Sequence, residues 1–99
     1  MSGIVYVVTN DLLRKHNIYK IGYTGNLQER LRKLNTASPY NFYAVFQYET
    51  SDCRRMEKLV HSKLRGQRLN REFFVLKSMH LYIIRCCFRI SRPTVRHVA

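Results

Sequence analysis

Ile18-Tyr19-Lys20-Ile21-Gly22-Tyr23 decides the fold of this chain. It is a β-branched and aromatic run, closed by Thr24-Gly25-Asn26, and it carries one lysine in its middle. Upstream, Gly3-Ile4-Val5-Tyr6-Val7-Val8-Thr9 is almost wholly apolar, as expected of a strand covered on both faces. The two runs are short and close together, with turn chemistry at Thr9-Asn10-Asp11, so an antiparallel pair is expected. The polar stretch from Leu12 to Asn17 between them reads as a loop or a single helical turn.

Asn26, with Glu29 three residues on, has the pattern of a helix N-terminus. Leu27, Leu31 and Leu34 then recur with helical spacing, and Thr36 to Asn41, with Pro39, ends the helix. Phe42 to Glu49 reads as a third strand. Ser51 and Asp52 can cap a second helix reaching about Leu64, with Cys53, Met56, Leu59, Val60 and Leu64 as its apolar stripe and Gly66 as its stop. Phe73 to Leu76 is a short apolar return. The expected fold is α+β: a small three-stranded antiparallel sheet flanked by helices, in the order β-β-α-β-α plus a short closing segment. Residues 1–77 form the expected domain. Residues 78–99 form a basic extension that reads equally as a helix, a strand or a tail.

Bulk composition limits the partners. With 45% hydrophobic residues the chain is globular, and its 99 residues suit one domain. Eighteen Lys and Arg against six Asp and Glu give a net charge of +12, which favours a polyanion. The excess is not a tail effect, because residues 1–77 alone carry +8. No apolar run approaches the roughly 20 residues of a membrane span. Three cysteines, two of them adjacent, make a poor disulfide framework. Together with the lack of a signal-peptide pattern at Met1-Ser2-Gly3, they lead to an intracellular expectation. Cys86, Cys87, His80 and His97 lack the paired spacing of a zinc module. Neither a P-loop nor a dinucleotide fingerprint is present.

Three polar residues stand where the fold alone would not choose them. Lys20 lies inside an apolar strand, either facing a cleft or guarding a sheet edge. Arg30 lies roughly 40° from Leu34 on the helical wheel, on the border of the buried stripe. Glu57 lies roughly 20° from Leu64 on the second helix, so it either looks into a cleft or is an ordinary surface acid paired with Lys58 or His61. Tyr6 reads as core with its hydroxyl at the rim.

In order along the chain, Ile4-Val5-Tyr6, Tyr19-Lys20-Ile21-Gly22-Tyr23-Thr24, Glu29-Arg30-Leu31, Glu57-Lys58-Leu59-Val60-His61 and Arg71-Glu72-Phe73-Phe74 resemble the GIY-YIG nuclease superfamily, in a compact branch of phages and large DNA viruses. The resemblance covers about residues 3–76. It implies metal-dependent hydrolysis of DNA phosphodiester bonds, with weak sequence preference or selection by DNA structure. Tyr6 would orient the attacking water, or act as base if a nearby cation lowered its pKa. Lys20 would tune Tyr6 or contact phosphate, and Arg30 would stabilise developing charge. Glu57 would hold a single Mg²⁺ or Mn²⁺ ion. His61, Glu72 and Asn70 would complete the surroundings, and Tyr23, Arg32, Lys33 and Arg54 would contact nucleic acid. DNA is favoured over RNA, and a protein partner or a homodimer would supply specificity. The alternatives are a catalytically silent nucleic-acid-binding module on the same fold and a basic protein with a structural role on RNA.

Overall fold

The computed structural model describes residues 3–91 and 96–97. The chain runs β1 (Gly3–Thr9), α1 (Asp11–Lys15), β2 (Ile18–Thr24), α2 (Leu27–Thr36), β3 (Tyr43–Thr50) and α3 (Cys53–Lys63). A single 3₁₀ turn (Arg65–Gln67) leads to β4 (Arg68–Asn70), β5 (Phe73–Val75), α4 (Ser78–Ser91) and β6 (Arg96–His97).

All strand pairings are antiparallel, and the sheet order is β4-β5-β2-β1-β3-β6. The expected three-stranded sheet is therefore too narrow. The three long strands are flanked by β4 and β5 on one side and by the two-residue β6 on the other. These additions are two or three residues long and are held by backbone pairing, such as Ile18 with Val75 and Phe46 with His97. Pieces this short leave no period-two pattern in a sequence.

Alternation along β1 divides the core. Val5 and Val7 join Ile21, Tyr48, Phe74 and the buried faces of α3 and α4. Tyr6 and Val8 point the other way and pack with Leu27 and Ala44, under α2. A bulge in β3 interrupts the alternation, because Val7 pairs with Phe46 and Val8 with Ala44. The extra residue, Val45, packs on the same cluster as Phe46.

Local chemistry matches the caps. Asn26 Oδ1 accepts from the Glu29 N–H at 3.1 Å, and Asp52 Oδ1 accepts from the Arg55 N–H at 3.2 Å. Asn10 caps the short α1 by accepting from the Leu13 N–H at 2.8 Å. Residues Ser78–Ser91, ambiguous in sequence, are a helix that places Ile84, Cys87 and Phe88 in the core. Phe88 stacks on Tyr48 with ring centroids 4.7 Å apart. Residues 92–95 and 98–99 of the basic C-terminal extension lie outside the described residues. Among the described residues the three cysteines are unbridged, and no helix is long and apolar enough to cross a membrane.

Candidate functional site: a tyrosine, two carboxylates and their cations

The polar cluster forms where β5 leaves the side of β2. Ile21 of β2 donates its N–H to the Glu72 carbonyl at 2.9 Å and receives a hydrogen bond from His61 Nε2 at 3.1 Å. A carbonyl can only accept, so His61 carries its proton on Nε2. Glu72 therefore arrives from the β4–β5 hairpin and His61 from α3, both anchored on one residue. Asn70 pairs with Phe73 across a two-residue turn, Arg71-Glu72, with Arg71 in the left-handed region at φ 49°. That turn presents the Glu72 carboxylate to β2.

Tyr6 and Gly22 are cross-strand partners. A Cβ added to Gly22 would stand 2.6 Å from the Tyr6 hydroxyl oxygen and 3.0 Å from Glu72 Oε1. Gly22 is thus the space in which the phenol and the carboxylate meet. Lys20 lies two residues before it. Its strand is interior to the sheet, so the edge-guard reading of Lys20 does not apply. Its Nζ stands 2.8 Å from Glu72 Oε1 and 5.1 Å from the centroid of the Phe73 ring, with the side chain only 15% exposed.

Glu57 is buried on α3, with His61 Nε2 3.7 Å from its Oε2. Burial pushes its pKa up; His61 opposes this and the Glu72 charge adds to it, while Arg54 and Arg68 pull it down. Tyr6 feels the same charges. Burial, helped by Glu72 and Glu57 and opposed by Arg30, pushes its phenol up to about 12. The single cation in that balance loses to desolvation and two carboxylates. Tyr6 is accordingly a protonated donor at neutral pH, which favours orienting a water over acting as a base.

Tyr6, Lys20, Arg30, Glu57, His61 and Glu72 are thus drawn from β1, β2, α2, α3 and the β4–β5 turn into one neighbourhood. Arg30 is exposed and acts on it through its field. Arg54 lies at the rim. Arg32 and Lys33 are exposed on α2, 3.4 Å and 3.9 Å from Glu29. Tyr23 is half-buried against the main core cluster, and Asn70 is exposed on β4. Two participants were not singled out from sequence. Gly22 appeared only as a letter in a strand motif, and Arg68 sits in a strand too short to signal itself.

Among the described residues no group of three or more His, Cys, Asp and Glu is placed to enclose a metal. A hydrated hard cation needs fewer protein ligands than such a group supplies. Such an ion takes one or two carboxylates, and Glu57 is a buried carboxylate with a second, Glu72, in electrostatic reach.

Comparison with known proteins identifies relatives in one virus. KilA-N domain-containing protein 315L of Invertebrate iridescent virus 6 is 44% identical over 77 residues, covering 74% of this chain and 33% of that protein. Uncharacterized protein 460R of the same virus is 32% identical over 105 residues, covering 98% of this chain and 48% of that protein. The chain thus spans a third to a half of the length of these curated relatives. No solved structure matches it. The resemblance to GIY-YIG nucleases is corrected by these matches, which point to a different family. Its motifs were short strand and helix words, and such words recur wherever apolar strands alternate with basic amphipathic helices. The T5orf172 domain model matches residues 3–91, from the first strand through α4, and the chain belongs to the T5orf172 domain family.

Proposed function

We propose that this domain is a DNA endonuclease that hydrolyses phosphodiester bonds at the cluster around Tyr6 and Glu57. The observation that carries the reading is a buried carboxylate, Glu57, within electrostatic reach of a buried phenol, Tyr6, inside a protein of net charge +12. A buried carboxylate and a buried hydroxyl are both costly to take out of water, and such costs concentrate at functional sites. The net charge of +12 supports a polyanion such as DNA as the ligand.

Glu57, with Glu72 beside it, would hold a divalent cation such as Mg²⁺ or Mn²⁺. Bound there, the ion supplies positive charge to the phosphoryl oxygens and acidity to its waters. The protein's own groups do the rest. Tyr6 donates its hydroxyl proton to a water or phosphate oxygen and fixes its position. His61, held by the Ile21 carbonyl, orients Glu57. Arg30 and Arg54 add positive potential against the charge that builds on phosphorus. Lys20 is released to the phosphate when the incoming anion competes with Glu72. The substrate is selected by DNA structure more than by sequence.

A second reading, a DNA-binding module without cleavage, draws on one observation. Tyr6 is only 1% exposed and Lys20 is already neutralised by Glu72, as in a purely structural ion pair. The two readings part in one assay. Purified protein is incubated with supercoiled, linear, single-stranded and branched DNA in Mg²⁺, Mn²⁺ or EDTA, beside folded Glu57→Ala and Arg30→Ala variants. Metal-dependent cutting lost in both variants supports the nuclease. Binding without cutting on every substrate, unchanged in Glu57→Ala, supports the silent module.

A further inference from the structure

A second constellation lies away from the cluster. Between α1 and the loop before β3 is an open cleft of about 520 Å³, lined by Asp11, Arg14, Lys15, Tyr40 and Tyr43. It combines two aromatic rings, two cations and one carboxylate. The volume lies within the range of small-ligand sites.

The cleft is built from held parts. Tyr40 is 45% exposed, yet its backbone is fixed. Ser38 Oγ donates to the Tyr40 carbonyl at 2.6 Å and accepts from the Tyr40 N–H at 3.3 Å. Pro39 between them fixes its own φ. The loop is closed by the Phe42 N–H, which donates to Asn35 Oδ1 at 2.7 Å. Across the cleft, Arg14 Nη1 donates to the Tyr43 hydroxyl at 3.0 Å, which restrains the guanidinium. A single surface tyrosine would call for no explanation. Here an exposed ring on a braced loop faces a restrained guanidinium and a lysine, the combination that stacks a base and neutralises its phosphate. Asp11 adds an acceptor suited to an N–H of a base edge.

We infer that this cleft is a subsite for an unpaired nucleotide of a DNA strand, with the base on Tyr40 and the phosphate on Arg14 and Lys15. Tyr43 pairs with Thr9, three residues beyond Tyr6 on β1. That is roughly 10 Å along the strand. The inference rests on the DNA binding in the proposed function and is independent of cleavage.

The test is fluorescence anisotropy in EDTA, with a labelled oligothymidylate and a blunt duplex of equal length. Tyr40→Ala weakens oligothymidylate binding about tenfold and duplex binding less than about twofold, while Tyr40→Phe retains both. Arg14→Ala lowers the slope of log affinity against log salt by about 0.7 on the single strand. Equal losses on both DNAs, or no loss on either, with Tyr40→Ala overturn the subsite and leave DNA binding standing. If the unaltered protein binds neither DNA, the subsite and the proposed function fall together.

Discussion

The Tyr6 ring lies against the backbone of Gly22, its partner across the β1–β2 ladder, so that a methyl group there would overlap the phenol at 2.6 Å from its oxygen and 2.9 Å from Cζ. The ring cannot easily yield, because Tyr6 is fully enclosed. Gly22→Ala is expected to lower stability by about 1–3 kcal/mol, the usual cost of overpacking. It should also push the phenol away from Glu72. Chemical denaturation measures the first effect and DNA cleavage the second. An alanine variant as stable and as active as the parent would show that the ring moves freely.

Tyr6 should also announce itself at alkaline pH. Its pKa is raised by burial from 10.0 to about 12, so the folded state holds that proton more tightly than the unfolded chain. Its contribution to stability is complete below pH 10 and is lost as pH climbs toward about 12. Ultraviolet titration should find one late tyrosinate that is missing in Tyr6→Phe. If the variant and the parent titrate alike, the phenol is more solvated than the geometry implies.

Glu57 has a consequence of the same sign at lower pH. Its folded pKa is raised, by burial first, above the ordinary 4.5. The folded state therefore binds more protons than the unfolded chain just above pH 4.5, and stability falls as pH rises through that window. In chelator, Glu57→Gln should melt higher than the parent at pH 7 and lose that slope. The same variant should cut DNA on the order of 100-fold more slowly. A variant that is less stable at pH 7 would mean the carboxylate is held by favourable contacts that outweigh its burial.

Phe88 tests whether the last helix belongs to the core. Its ring is fully buried, stacked on Tyr48 and edge-on to Phe46 at 6.5 Å. Phe88→Ala should cost about 3–5 kcal/mol. Truncation before Ser78 should then give a chain that fails to fold cooperatively, as read by calorimetry. A truncated chain with an unchanged melting temperature would place α4 outside the folding unit.

The long elements were legible because each repeats its signal. The β1 and β2 runs are unbroken, and Asn26 and Asp52 stand at the caps where their side chains accept from the helix backbone. The sheet's width was not legible. The β4 side chains are all exposed and β5 has only three residues, so neither leaves an alternating trace. α4 was ambiguous for another reason: apolar residues run nearly round it, with Met79 and Tyr82 exposed and Ile84 and Phe88 buried. Within the site, Lys20 and Glu57 stood out because a charge among apolar neighbours demands a partner. The partner of Lys20, fifty-two positions away on a hairpin turn, can be seen only in three dimensions. The nuclease family suggested by the same residues was wrong, because short motifs report local geometry better than ancestry.

The strands at the two rims of the sheet are three and two residues long, while the long strands β1, β2 and β3 all lie inside. Rims this brief give another chain little strand to zip onto at β4 and β6 themselves, although β6 meets the longer β3 only at Phe46 and Gln47. Together with a strongly positive surface, this should keep the protein dispersed when concentrated, and leave the sheet's flanks free for a rigid polyanion to lie across.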